Sequence, residues 1–112
     1  MHPQDAAVRG LQQGEVVRVH NDRGACLAGL RISDAVRPGV VVLPTGAWYD
    51  PLVPGEPGTL EKHGNSNVLT LDKGTSKLTQ GCSAHTTLVE VEAFRGLLPP
   101  VTAFDPPRFS QR

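Results

Sequence analysis

The sequence predicts a small, mostly β domain of barrel-like form, and three observations predict it. Glycine (12) and proline (10) are high for a chain of 112 residues, which points to many turns and short strands rather than a helical bundle. Residues 15–21 and 85–94 alternate apolar with polar side chains, the period-two pattern of half-buried strands. Between them, Val40-Val41-Val42-Leu43 is a continuous apolar run bounded by turn residues, which reads as a fully buried strand.

Each element follows in order. Residues 3–9 read as a short helix: Pro3 suits the first turn, Ala6 and Ala7 are good helix formers, and Gly10 is placed to end it. Residues 15–21 form a strand with Val17 and Val19 on one face and Arg18 and His20 on the other. Asn21-Asp22-Arg23-Gly24 is a turn signal, and 25–32 returns as the second arm of a hairpin. Residues 33–39 connect to the apolar run at 40–43. A long irregular stretch, 44–67, follows with four of the ten prolines and the only Trp and Tyr. Loops of that length are usually functional or disordered. Residues 68–70 resume apolar character, 76–80 suggest a helical turn, and 85–94 place Val89, Val91 and Ala93 opposite Glu90 and Glu92. We assign one domain over 1–95 and an extended C-terminal tail over 96–112, where Pro99, Pro100, Pro106 and Pro107 lie.

Charge and composition exclude several function classes. Eleven Lys+Arg balance eleven Asp+Glu, so no basic field supports sequence-independent nucleic-acid binding. No apolar stretch is long enough to span a membrane, and Met1 to Asp5 does not start a signal peptide. Cys26 and Cys82 make no disulfide framework; Cys26 reads as a small buried side chain. Cys82 and His85 have the spacing of half a zinc site, but Cys26, His2, His20 and His63 complete no finger pattern, so no metal ligand is assigned.

The long loop holds the candidate binding residues. Gly46-Ala47-Trp48-Tyr49-Asp50-Pro51 sets two aromatics among small and turn-forming residues, either as a platform for a flat heterocycle or as a lid on a small core. His63-Gly64-Asn65-Ser66-Asn67 offers amide donors and acceptors to a ligand edge, or an Asn/Gly turn bonding its own backbone. Gln80 is a further candidate. Lys73-Gly74-Thr75-Ser76 is reversed relative to a phosphate-binding loop and lacks its glycine spacing. Asp5, Asp34 and Asp50 occupy positions where turn or helix-end roles suffice. No nucleophile, base and orienter assemble, so no catalytic residue is assigned.

Six segments occur together in order: Asp5-Ala6-Ala7-x-Arg9-Gly10, Asn21-Asp22-Arg23-Gly24, Arg37-Pro38-Gly39-Val40, Gly46-Ala47-Trp48-Tyr49-Asp50-Pro51, His63-Gly64-Asn65-x-Asn67-Val68-Leu69-Thr70 and Gly74-Thr75-Ser76-x-Leu78-x-Gln80. Over about residues 3–92 they resemble the C-terminal cofactor-binding domain of the dimethyl sulfoxide reductase family of molybdenum enzymes, on the side of the biotin sulfoxide and trimethylamine N-oxide reductases. Ser66 stands where that family usually has Pro.

The resemblance implies a six-stranded double-psi β-barrel, incomplete at its N-terminus, that covers the pterins of a molybdenum bis(molybdopterin guanine dinucleotide) cofactor. It implies contacts from Gly46, Ala47, Trp48, Tyr49, His63, Asn65, Asn67 and Gln80. It also implies upstream domains of the same polypeptide as partners, and work in the bacterial cytoplasm or periplasm. On this reading the chain is a fragment of an S- or N-oxide reductase, inactive alone and open to dimerisation by strand exchange. The rival reading is a stand-alone double-psi barrel acting as an interaction or assembly module without cofactor.

Overall fold

The computed structural model describes residues 1–109. Its regular structure is mostly β with a few short helices. Helix α1 spans Pro3–Val8, strands β1 Val16–His20 and β2 Ala25–Gly29 form a hairpin, and β3 Glu90–Ala93 completes an antiparallel sheet in the order β2-β1-β3.

The local chemistry explains these elements. His2 caps α1 by accepting from the Gln4 N–H through Nδ1, and Gly10 ends the segment with φ of +64°. Asp5 reaches out of the helix to accept from the Gly39 N–H at 2.7 Å, which ties α1 to the connection before the apolar run. In β1, Val17 and Val19 are buried as the alternation predicts. The hairpin turn is closed by Asn21, whose Oδ1 accepts from the N–H groups of Arg23 and Gly24. The same side chain donates to the carbonyls of Leu69 and Leu88 and so joins the turn to two distant segments. Gly24 is required there by close approach: a Cβ would stand 2.5 Å from the Val68 carbonyl oxygen.

The core gathers Ala6 of α1, Leu11, Val17 and Val19 of β1, Cys26 of β2, Leu30, Leu69 and Val91 of β3. Val19 is the hub of the sheet, opposite Cys26 on one side and Val91 on the other. Among the described residues, no helix is long and apolar enough to cross a membrane.

Three expectations need correction. The run at 40–43 is not a buried strand. Val42 is exposed, and the backbone groups of Val41, Val42 and Leu43 have no hydrogen-bond partner among the described residues. The run instead edges apolar clefts of about 370 and 350 Å³ that reach Val17, Val19 and Val91; an apolar run specifies a strand only if a ladder partner is present. Residues 76–80 form no helical turn, because the Ser76 hydroxyl captures the N–H groups of Leu78 and Thr79. The strand expected over 85–94 begins only at Glu90, since Ala84–Thr86 is a 3-10 turn.

Candidate functional site

The long loop is irregular but fastened at its centre. Residues 50–52 and 60–62 fold together: Lys62 N–H donates to the Asp50 carbonyl and Leu52 N–H to the Leu60 carbonyl. The exposed tip between them carries Pro54-Gly55 and Pro57-Gly58, with both glycines at positive φ. Glu61 then lies along β2. Its N–H donates to the Ala25 carbonyl at 3.0 Å, and its carbonyl accepts from the Leu27 N–H at 2.9 Å.

The Glu61 side chain is wholly buried. Its Oε1 accepts from the N–H of Asp50 at 3.1 Å and of His63 at 3.0 Å, and its Oε2 from the N–H of Asn65 at 2.7 Å. One carboxylate therefore holds both halves of the candidate site. Burial, with Glu61 next in effect, pushes the neighbouring Cys26 thiol up to about 11, so Cys26 is an inert core residue.

The structure brings 46–49 and 63–67 together. Asn65 Nδ2 donates to the Ala47 carbonyl at 2.9 Å, and His63 Nδ1 lies 3.2 Å from the Trp48 carbonyl. Asn65 Oδ1 accepts from the Asn67 N–H at 3.0 Å and caps the 3-10 turn Ser66–Val68. Asn65 thus braces the site from inside. The Asn67 side chain projects from this turn into solvent, and no hydrogen bond to it is found among the described residues. Gly46 is exposed with φ of +107°, a conformation that favours glycine. Trp48 is 68% and Tyr49 55% exposed, so neither serves as a core lid. Gln80 sits on the exposed loop 71–82, where its amide donates to the Ser76 carbonyl; no hydrogen bond joins it to the other seven candidates.

Sequence reasoning missed the supports of this site. Besides Glu61, they are Lys62, Thr102 and Phe104. The two Asp50 oxygens accept from the Thr102 hydroxyl and N–H, each at 2.7 Å, and Lys62 Nζ donates to the Thr102 hydroxyl and the Pro100 carbonyl. Phe104 consequently lies edge-on to His63, with ring centroids 5.2 Å apart, and 6.4 Å from Trp48. Part of this was readable: two Pro-Gly turns midway between Asp50 and Lys62 favour a chain reversal that pairs their charges. Nothing in the sequence marks Thr102 or Phe104.

The arrangement offers a partly aromatic surface, with the Trp48 and Phe104 rings tilted by 41° and His63 edge-on to Phe104, beside the exposed amide of Asn67. The two acids behind it, Asp50 and Glu61, are buried, Asp50 against the Lys62 ammonium and Glu61 against three backbone N–H groups.

A family model described as the molydopterin dinucleotide binding domain matches residues 1–88. The chain is 56% identical over 107 residues to trimethylamine-N-oxide reductase 1 of Escherichia coli O157:H7, covering 96% of this chain and 13% of that protein. It is 53% identical over 108 residues to the dimethyl sulfoxide/trimethylamine N-oxide reductase of Cereibacter sphaeroides, with 96% and 13% covered. The corresponding Rhodobacter capsulatus protein is 51% identical over 111 residues, with 99% and 14% covered. The chain thus spans about 13% of the length of these curated relatives.

Proposed function

We propose, from the premise that this chain belongs to the molydopterin dinucleotide binding domain family, that it closes over the pterins of a molybdenum bis(molybdopterin guanine dinucleotide) cofactor in a bacterial S- or N-oxide reductase. Every candidate contact, from Gly46 to Gln80, falls inside the matched residues. The observation that carries the reading is the junction of the two loops through the Ala47–Asn65 and Trp48–His63 contacts.

The donor set fits a pterin. Pterins are flat and dense in hydrogen-bonding groups, and Asn67 supplies an exposed amide with both donor and acceptor. His63 Nδ1 is occupied by the Trp48 carbonyl, and its Nε2 has no hydrogen-bond partner among the described residues. The rings of Trp48 and Phe104 add apolar surface that excludes water. When bound, the cofactor supplies the chemistry by which an S- or N-oxide takes up two electrons and two protons and releases its oxygen as water. This chain's residues bind and orient; none of them is assigned a proton or an oxygen to transfer.

At the level of fold, we read β1 to β3, the Glu61 bridge to β2 and the unpaired run at 40–43 as parts of a double-psi barrel. Residues 96–109 are then a tail outside that barrel, anchored through Thr102 to Asp50, and the remainder of the expected 96–112 tail lies outside the described residues. The partners are the rest of a reductase polypeptide and the cofactor. The stand-alone module reading is not favoured, because the relatives match nearly the whole chain as part of far longer reductases.

The test is the native gene product, purified under reducing conditions from a host that makes the cofactor. Molybdenum with guanine nucleotide, and reduction of trimethylamine N-oxide or dimethyl sulfoxide by a reduced dye, support the reading. A folded product free of both metal and nucleotide contradicts it.

A further inference from the structure

We infer that Glu61 is the positioning residue of this site, holding both ligand-facing loops in place before the cofactor binds; the inference rests on the pterin-binding reading above. Glutamate is almost never fully buried unless its charge is compensated. Glu61 is fully buried, yet it has no ion-pair partner among the described residues. Its compensation is three backbone N–H groups, from Asp50, His63 and Asn65.

Those three donors are not scattered. Asp50 directly follows the Trp48-Tyr49 pair, and His63 and Asn65 are themselves candidate contacts. Asn65 in turn holds Ala47 and the Asn67 N–H through its own side chain. Because the Glu61 backbone is bonded to β2 at Ala25 and Leu27, the carboxylate refers both loops to the sheet. An apolar residue would fill the same space but leave three N–H groups without acceptors. A carboxylate here is explained by what it holds, since a site fixed in advance loses less freedom on binding.

Glu61→Gln in the native gene product is the direct test. It keeps the shape but turns an NH2 group toward a backbone N–H. The expected result is amide exchange at His63 and Asn65 at least tenfold faster, and molybdenum and guanine nucleotide content lowered at least fivefold. Val17→Ala, a core truncation away from the loops, is the control. It should lower the thermal midpoint of the cofactor-free protein at least as much while keeping cofactor content.

Content that falls in both variants in step with the midpoint, or in neither, overturns the positioning role. If Glu61→Gln does not fold, Glu61→Asp decides: too short to reach all three donors, it should show the same content loss, and full content overturns the inference. Wild-type protein that is folded but empty overturns instead the pterin-binding reading, so the two failures are distinct.

Discussion

The Asp50 carboxylate and the Lys62 ammonium lie 3.3 Å apart with only 6% and 7% of their side chains exposed, and Thr102 bonds to both. This buried pair stands directly behind the aromatic loop and ties the segment after Gly96 to it. Removing one partner leaves the other charge buried alone, which typically costs about 3–5 kcal/mol. Asp50→Asn and Lys62→Met should each lower stability by that order in denaturant unfolding at pH 7. Loss below 1 kcal/mol would mean the junction is solvated in solution.

The same junction sets an acid limit. Burial acts to raise the Asp50 pKa, but the Thr102 hydroxyl and N–H and the Lys62 ammonium outweigh it, and the value falls below the ordinary 3.8. A group whose folded pKa is depressed stabilises the fold above its unfolded pKa and loses that effect as pH falls through the folded value. Stability should therefore hold from neutral pH down to about 4 with respect to this group, then decline below 3.8. Asp50→Asn should flatten that decline; an unchanged acid limb in the variant would assign it to other carboxylates.

Asn65 and Asn67 should separate by readout. The Asn65 side chain is bonded to Ala47 and Asn67, whereas the Asn67 side chain has no partner among the described residues. Asn65→Ala should cost stability by about 1–3 kcal/mol through its orphaned partners. Asn67→Ala should leave the melting temperature unchanged but lower cofactor occupancy in the native gene product. Equal thermal loss in both variants would place Asn67 among the supports instead.

Gly24→Ala forces a methyl against the Val68 carbonyl, so the 3-10 turn that presents Asn67 must shift. Overpacking of this kind typically costs about 1–3 kcal/mol. Thermal unfolding checks it, and a variant as stable as the parent would show that the turn yields freely.

Val91→Asp places a charge opposite Val19 in the core. The charge has no partner there and should unfold the domain. A well-dispersed amide spectrum from this variant would contradict the core assignment.

The parts legible in the sequence are those set by local pattern. Helix α1 follows from Pro3 and Gly10, the hairpin from the Asn21–Gly24 turn, and the face of β3 from Val91 between two glutamates. What failed was non-local. Val40 to Leu43 looks like a strand by composition, but a strand also needs a neighbour, and composition cannot supply one. The site divides in the same way. Its outward residues, Trp48, Tyr49, His63 and Asn67, stood out as unusual loop residues. Its inward supports did not, because Glu61 and Asp50 look like ordinary loop acids until the 50–62 reversal buries them. The clamp at Thr102 joins residues 52 positions apart, beyond any local signal.

The most direct measurement is amide hydrogen exchange of the native gene product with and without its cofactor. The account predicts slower exchange on loading at residues 46–49 and 63–67, with the β1–β2 hairpin little changed. Loaded protein with no added protection in either loop would contradict it and move the cofactor contacts elsewhere.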